Sequence, residues 1–280
     1  KGNLVIKNTV LRNFNDTAII LIDSTLTTLN VTFENIQAAD YGAAVYCTDD
    51  SMVTSTNDRY IETYAPNGGS AIFGYDSVIN INNGTFQNKK PIYWSLIYGE
   101  DSEINVFETV FANINSKYAT AIYNTYNTTI KKSKFINLHA DATAGAIAIK
   151  SNNAQNKTYM RVYDCEFVNV SAAKNGGAIY SDLNGNGLKQ YIGLLDVINS
   201  TFTQCRADFG GAILHLGRAV EIINSTFTQN MATEAGGAFY SSNANVLING
   251  TTFKENKVDI YNGLGGASYF DAEKIVIDKT

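Results

Sequence analysis

Residues 199–240 read NSTFTQCRADFGGAILHLGRAVEIINSTFTQNMATEAGGAFY and contain one phrase written twice. Asn-Ser-Thr-Phe-Thr-Gln stands at 199–204 and again at 224–229, and Gly-Gly-Ala at 210–212 and again at 236–238. Each copy is a unit of about 25 residues, and a fixed period of that length marks a repeat architecture.

The same two marks recur along the chain. One is a glycine or small-residue step followed by an apolar pair, as at Gly42 to Tyr46, Gly69 to Phe73, Gly145 to Ile149, Gly176 to Tyr180 and Gly265 to Tyr269. The other is an apolar strand closed by Phe and then Asn: Phe33/Asn35, Phe86/Asn88, Phe111/Asn113, Phe135/Asn137, Phe167/Asn169, Phe227/Asn230 and Phe253/Asn256. Where the pattern is tight the phenylalanines lie 24 to 26 residues apart; between Phe135 and Phe202 the intervals lengthen to 32 and 35, which reads as loop insertion. Insertions are expected near 47–66, 150–160 and 181–194.

Each unit offers short β-branched and aromatic runs, such as Val78-Ile79-Asn80-Ile81, separated by Asn, Gly, Ser and Asp. No run carries a sustained helical period or helix caps. Such strands cannot bury a face alone, so each unit stacks on the next at the ~4.8 Å spacing of neighbouring strands. The sequence therefore predicts an all-β chain, a parallel β-helix (solenoid) forming a single domain over residues 1–280. Its ten or eleven coils make a rod roughly 50 Å long. The phenylalanines form an internal ladder, the Gly-Gly steps make corners, and the Asn after each Phe makes a turn.

Composition fits one elongated domain. Charged residues are 17% of the chain, Asn numbers 33, and the net charge of −5 with no basic cluster excludes a nucleic-acid partner. No apolar stretch is long enough to span a membrane. The three cysteines, Cys47, Cys165 and Cys205, are too few for a disulfide framework and read as buried thiols. Leu4-Val5-Ile6 and Ile275-Val276-Ile277 open and close the sequence in mid-pattern. Both ends are thus expected to be uncapped, with further coils flanking these residues or another copy covering them end to end.

Three sets of residues are candidates for function. Nine N-x-S/T sequons, at Asn15, Asn30, Asn83, Asn127, Asn156, Asn169, Asn199, Asn224 and Asn249, suit N-glycans. Asn30, Asn83, Asn199 and Asn224 share one register, three residues before a repeat Phe, while Asn249 lies four before. A stripe of Tyr46, Phe73, Tyr98, Tyr123, Tyr180, Tyr240 and Tyr269 follows an inward aliphatic row and should face outward, where it can stack on sugars or a partner. Asp182, Asn184 and Asn186 match the first half of a calcium loop, but Gly193 stands where a bidentate carboxylate belongs. No metal site is assigned on that basis. Asp208 and Glu234, each two residues before a Gly-Gly, offer an in-register carboxylate pair. Asp49, Asp50 and Asp58 gather in an expected polar loop, and His139 and His215 sit in apolar strands where a core role is expected.

GGAI at 176–179 and 210–213, GGAF at 236–239, FTQN at 227–230 and FKEN at 253–256 resemble the GGA(I/L/V) and FxxN repeats of chlamydial-type polymorphic outer-membrane proteins, which also occur in large protist surface proteins. The resemblance implies a right-handed parallel β-helix and a role in surface attachment or architecture. Expected is a non-enzymatic, secreted or cell-surface, glycosylated rod that stacks end to end. The alternatives are a carbohydrate-binding adhesin and a polysaccharide-cleaving β-helix enzyme.

Overall fold

Each repeat folds as short strands joined by sharp corners. A computed structural model describes residues 1–151, 158–184, 193–259 and 263–280. The coil carrying the decisive phrase contains the strands Ile213–Leu216, Ala219–Ile223, Thr226–Thr228 and Met231–Ala235. Each strand pairs in parallel with its counterparts one coil away: Phe227 stands opposite Phe202 on one side and Phe253 on the other. Repeated through the chain, this pairing builds one sheet of 19 strands and a second of 13, with no helix among the described residues. The whole is a parallel β-solenoid of about 10 turns.

The core is the predicted ladder. Phe33, Tyr60, Phe86, Phe111, Phe135, Phe167, Phe202 and Phe227 are fully buried. Their rings lie nearly parallel, for example 4.8 Å apart at Phe202–Phe227 and 4.6 Å at Phe167–Phe202. Parallel pairing places every ring one strand spacing from the next, so stacking follows from the backbone. Phe135, Phe167 and Phe202 stay in register, so the extra residues of the longer repeats lie outside the ladder. Parts of those insertions, 152–157 and 185–192, lie outside the described residues.

The corners explain the small and amide residues. Asn8, Asn30, Asn57, Asn83, Asn199 and Asn224 all have φ between 49° and 56° and form one column of left-handed turns. Asn tolerates that region better than other non-glycine residues. Behind the column runs a row of buried hydroxyls: the N–H of Ser200 donates to Ser225 Oγ at 3.2 Å, and that of Ser225 to Thr251 Oγ1 at 3.3 Å. This row satisfies backbone donors that the bend would otherwise strand. At the Gly-Gly corner the two glycines have separate reasons. Gly210 has φ +62°, and a Cβ on Gly211 would run into the carbonyl oxygen of Gly237 in the next coil.

Three expectations need correction. Residues 47–66 are a regular coil with no loop insertion: Met52–Thr56 and Arg59–Tyr64 pair on both sides, and Tyr60 stacks between Phe33 and Phe86. Asp58 is buried there, accepting from the Thr28 hydroxyl, the Ser55 hydroxyl and the Val31 N–H, so it joins no exposed acidic loop. The Asn of Phe-x-Asn and that of Phe-x-x-Asn also differ. Asn35, Asn113, Asn137 and Asn169 take the left-handed turn, but Asn88 of Phe-x-Asn is buried, bonding both the N–H and the carbonyl of Thr63, and Asn230 is buried, donating to the Phe202 carbonyl and accepting from the Cys205 N–H. It bridges coils, with Gln204 and Gln229 taking the left-handed position in those repeats.

Phe227→Ala is expected to lower stability by about 3–5 kcal/mol in denaturant unfolding, because the ring leaves a void bounded by two other rings. A loss under about 1 kcal/mol would contradict a cohesive ladder.

Candidate binding face and turn columns

The strand after each Gly-Gly corner alternates strictly. Val45, Ile72, Ile97, Ile122, Ile147, Ile179, Ile213 and Phe239 point inward and are fully buried. Their neighbours Tyr46, Phe73, Tyr98, Tyr123, Ala148, Tyr180, Leu214, Tyr240 and Tyr269 form the outer row in continuous register. Adjacent rings stack at 5.2 Å for Tyr46–Phe73, 4.9 Å for Tyr98–Tyr123 and 5.0 Å for Tyr240–Tyr269.

The row is half-buried, because corner residues lean over it. Tyr41 packs on Phe73 at 4.5 Å and leaves that ring 4% exposed, so Phe73 belongs to no open stripe. Trp94 stacks on Tyr118 at 4.3 Å and meets Tyr98 and Tyr123 edge-on at 5.9 Å each. Lys117 lies 4.7 Å from the centre of the exposed Tyr93 ring and donates to its hydroxyl at 3.3 Å. Burial raises the hydroxyl pKa of Tyr98 and of Tyr180, and in Tyr180 the Asp182 carboxylate adds to it. Sequence reasoning missed these corner aromatics. Their signal is an offset of four or five positions, since Tyr41, Trp94 and Tyr118 precede Tyr46, Tyr98 and Tyr123, the row residues of their own coils.

The sequon asparagines fall into several classes. Asn30, Asn83, Asn199 and Asn224 are exposed members of the turn column, and Asn169 is an exposed member of the corner column after the Phe ladder. Within these columns the amides bond along the rod: Asn83 Nδ2 donates to Asn57 Oδ1 at 2.8 Å and Asn169 Nδ2 to Asn137 Oδ1 at 2.9 Å. An amide nitrogen has two hydrogens, and the ladder engages one. The turn-column sequons therefore have a structural origin: left-handed Asn, then a buried small residue, then a strand-opening Thr. Asn15 is exposed, and Asn249 sits half-buried at a strand end, with Gly250 taking the turn. Asn127 is 8% exposed and accepts from the Tyr159 N–H, so it is a strand-supporting residue and leaves the candidate glycan set. Asn156 lies outside the described residues.

Asp208 and Glu234 do not form a matched pair. The register shifts between Ala207 and Phe209, and Asp208 takes a hydrogen bond from the Thr233 hydroxyl. His139 faces outward, with Nδ1 2.8 Å from Ser171 Oγ and Nε2 3.3 Å from Asp141 Oδ1, which corrects its expected core role. His215 is fully buried beside Ser181, and burial lowers its pKa to about 3, keeping it neutral. The cysteines are buried and free, and burial pushes each thiol up to about 12. In the calcium-like stretch, Asp182 accepts from the Tyr180 hydroxyl and the Asn184 N–H, and Asn186 lies outside the described residues.

One carboxylate cluster escaped the sequence reading. Nearly buried Asp196 stands in register between Arg161 and Glu221, 3.6 Å from the Arg161 Nε and 3.3 Å from the Tyr163 hydroxyl. Its Oδ1 has no partner among the described residues. Burial, then the Glu221 charge, raises its pKa against the pull of Arg161.

These features define a parallel β-solenoid repeat protein with an aromatic outer row and an asparagine turn column. Two stretches, residues 30–48 and 224–242, match the family model of the Chlamydia polymorphic membrane protein (Chlamydia_PMP) repeat. Both matches begin at a left-handed Asn and run through the ladder Phe33 or Phe227 and the corner Gly42 or Gly236 to the outer-row Tyr46 or Tyr240. No curated protein and no solved structure matches the chain. Among the described residues no helix is long and apolar enough to cross a membrane.

The raised pKa of Asp196 gives a signed expectation. The folded state favours the neutral acid, so folding takes up a proton and stability falls as pH rises above the ordinary carboxylate value near 3.8. Asp196→Asn should therefore melt higher than the parent at pH 7, with the gain fading below pH 3.8. Equal melting temperatures across that range would contradict this.

Proposed function

We propose that this chain is a non-enzymatic, extracellular part of a surface protein, a β-helical rod whose outer columns meet the surroundings. The observation that carries the reading is the in-register stacking of the Phe ladder and the outer row, in a chain with two stretches that match the polymorphic membrane protein repeat. Such a ladder makes a stiff spacer, because each coil contacts only its neighbours and stability accumulates along one axis. N-glycans at Asn15, Asn30, Asn83, Asn169, Asn199, Asn224 and Asn249 decorate it. In this reading the rod grows end to end, copy upon copy. Exposed parallel edges are templates for strand addition.

A carbohydrate-binding adhesin is the second reading, favoured by the outer aromatic row with its leaning corner rings. Enzymatic cleavage of polysaccharide has less support, because Asp208 lies at a register shift and its carboxylate accepts from the Thr233 hydroxyl.

Material purified from the native source tests the rod directly. Deglycosylation in heavy-oxygen water should convert exposed sequon asparagines to labelled Asp, leave Asn127 unlabelled, and accompany elongated particles longer than one chain in electron micrographs. Unlabelled sequons together with only separate short particles would overturn the glycosylated, end-stacking rod.

A further inference from the structure

The outer aromatic row is interrupted at one coil in a way that leaves a ring-sized space. Tyr123 and Tyr180 stand on either side of Ala148 in register, two coils apart, or about 9.6 Å. Ala148 is 1% exposed and packs with Ala119 and Ala144 beneath the two tyrosines, so the floor of the gap is smooth and small. The second interruption, at Leu214, differs: a larger side chain stands in the row there, and the pocket over Ala148 does not extend to it. Over Ala148 the space remains open as a pocket of about 220 Å³, walled by Tyr123, Tyr180, Trp94 and Tyr118. Pockets for drug-sized ligands run to ~300–1,000 Å³, so this one takes a single ring.

We propose that the Ala148 slot binds one pyranose ring of a glycan, held between the faces of Tyr123 and Tyr180 at the place where the aromatic row lacks its own member. Aromatic faces supply the flat apolar contact that the C–H face of a sugar needs. The rim supplies the polar partners: Thr143, Asn175 and Lys150 line the same pocket, and Lys150 forms no ion pair among the described residues. A hydroxyl, an amide and an ammonium suit the several hydroxyls of a sugar better than the bare edge of an aromatic side chain. This deepens the adhesin reading: it rests on that reading and names the coil and ligand class.

Trp94 is the chain's single tryptophan and lies in the pocket wall, so its fluorescence reports occupancy directly. The full chain would be titrated with methyl glycosides of glucose, galactose, mannose, N-acetylglucosamine and glucuronic acid, and in parallel with N-acetyltyrosine amide. A saturable change with at least one glycoside, with Kd of about 1 mM, is expected. Tyr123→Ala should weaken it about three- to tenfold. Ala148→Tyr, which restores the residue type of the flanking coils, should abolish it while the circular dichroism stays unchanged. If that variant does not fold, Ala148→Leu, the residue type already present at 214, serves the same purpose. No saturable change with any glycoside overturns the proposal, as does saturation by the tyrosine amide alone. Glycoside binding that survives filling the slot also overturns it, while leaving an adhesin that uses other rings of the row.

Discussion

Parallel pairing of each strand with the strand one coil away is the constraint on which the rest of the molecule depends. It fixes every side chain opposite the residue one period further on, so each position belongs to a column and columns reward uniformity. Phenylalanines stack on phenylalanines, hydroxyls accept from the backbone of the neighbouring coil, and left-handed corners follow one another. A misfit is answered by its neighbours: where Tyr60 replaces Phe, its hydroxyl donates to Ser55, which in turn donates to Asp58. The same logic places Asp58 under the Val31 N–H and two hydroxyls, as a buried polar group requires.

The columns also decide which residues remain free for function. Inward columns are committed to packing, so the outer aromatic row and the exposed asparagine corners are what the coils leave facing outward. In the turn column the corner itself writes most of an N-glycosylation sequon, because the backbone asks for left-handed Asn, a small buried residue and a β-branched strand opener. Structure and modification signal are thus superimposed on the same atoms. The aromatic row shows the complementary case, where a departure from uniformity at Ala148 opens a space that uniform stacking would close.

Most of the fold was legible in the sequence, because a column of like residues appears there as a period. The Phe ladder, the Gly-Gly corners and the alternation of aliphatic and aromatic rows were all readable from spacing. Three features were not. Residues 47–66 looked irregular because Tyr stands for Phe and acids crowd the corner, yet backbone pairing holds the coil in register. The bulge between Ala207 and Phe209 is invisible to counting from the Gly-Gly step, which is why Asp208 and Glu234 seemed aligned. The groove over the outer row depends on Tyr41, Trp94 and Tyr118 leaning across from the corners, and the direction of a corner side chain is set by turn geometry.

A double-mutant cycle on the ladder tests like-on-like stacking most directly. Replacing Phe202 and Phe227 with Leu, singly and together, should give a coupling energy of about 0.5–1.5 kcal/mol, because the two rings touch. The distant pair Phe86 and Phe227 should be additive within about 0.5 kcal/mol. Additivity at Phe202 and Phe227, or equal coupling in both pairs, would contradict a column of rings held in register by the coils.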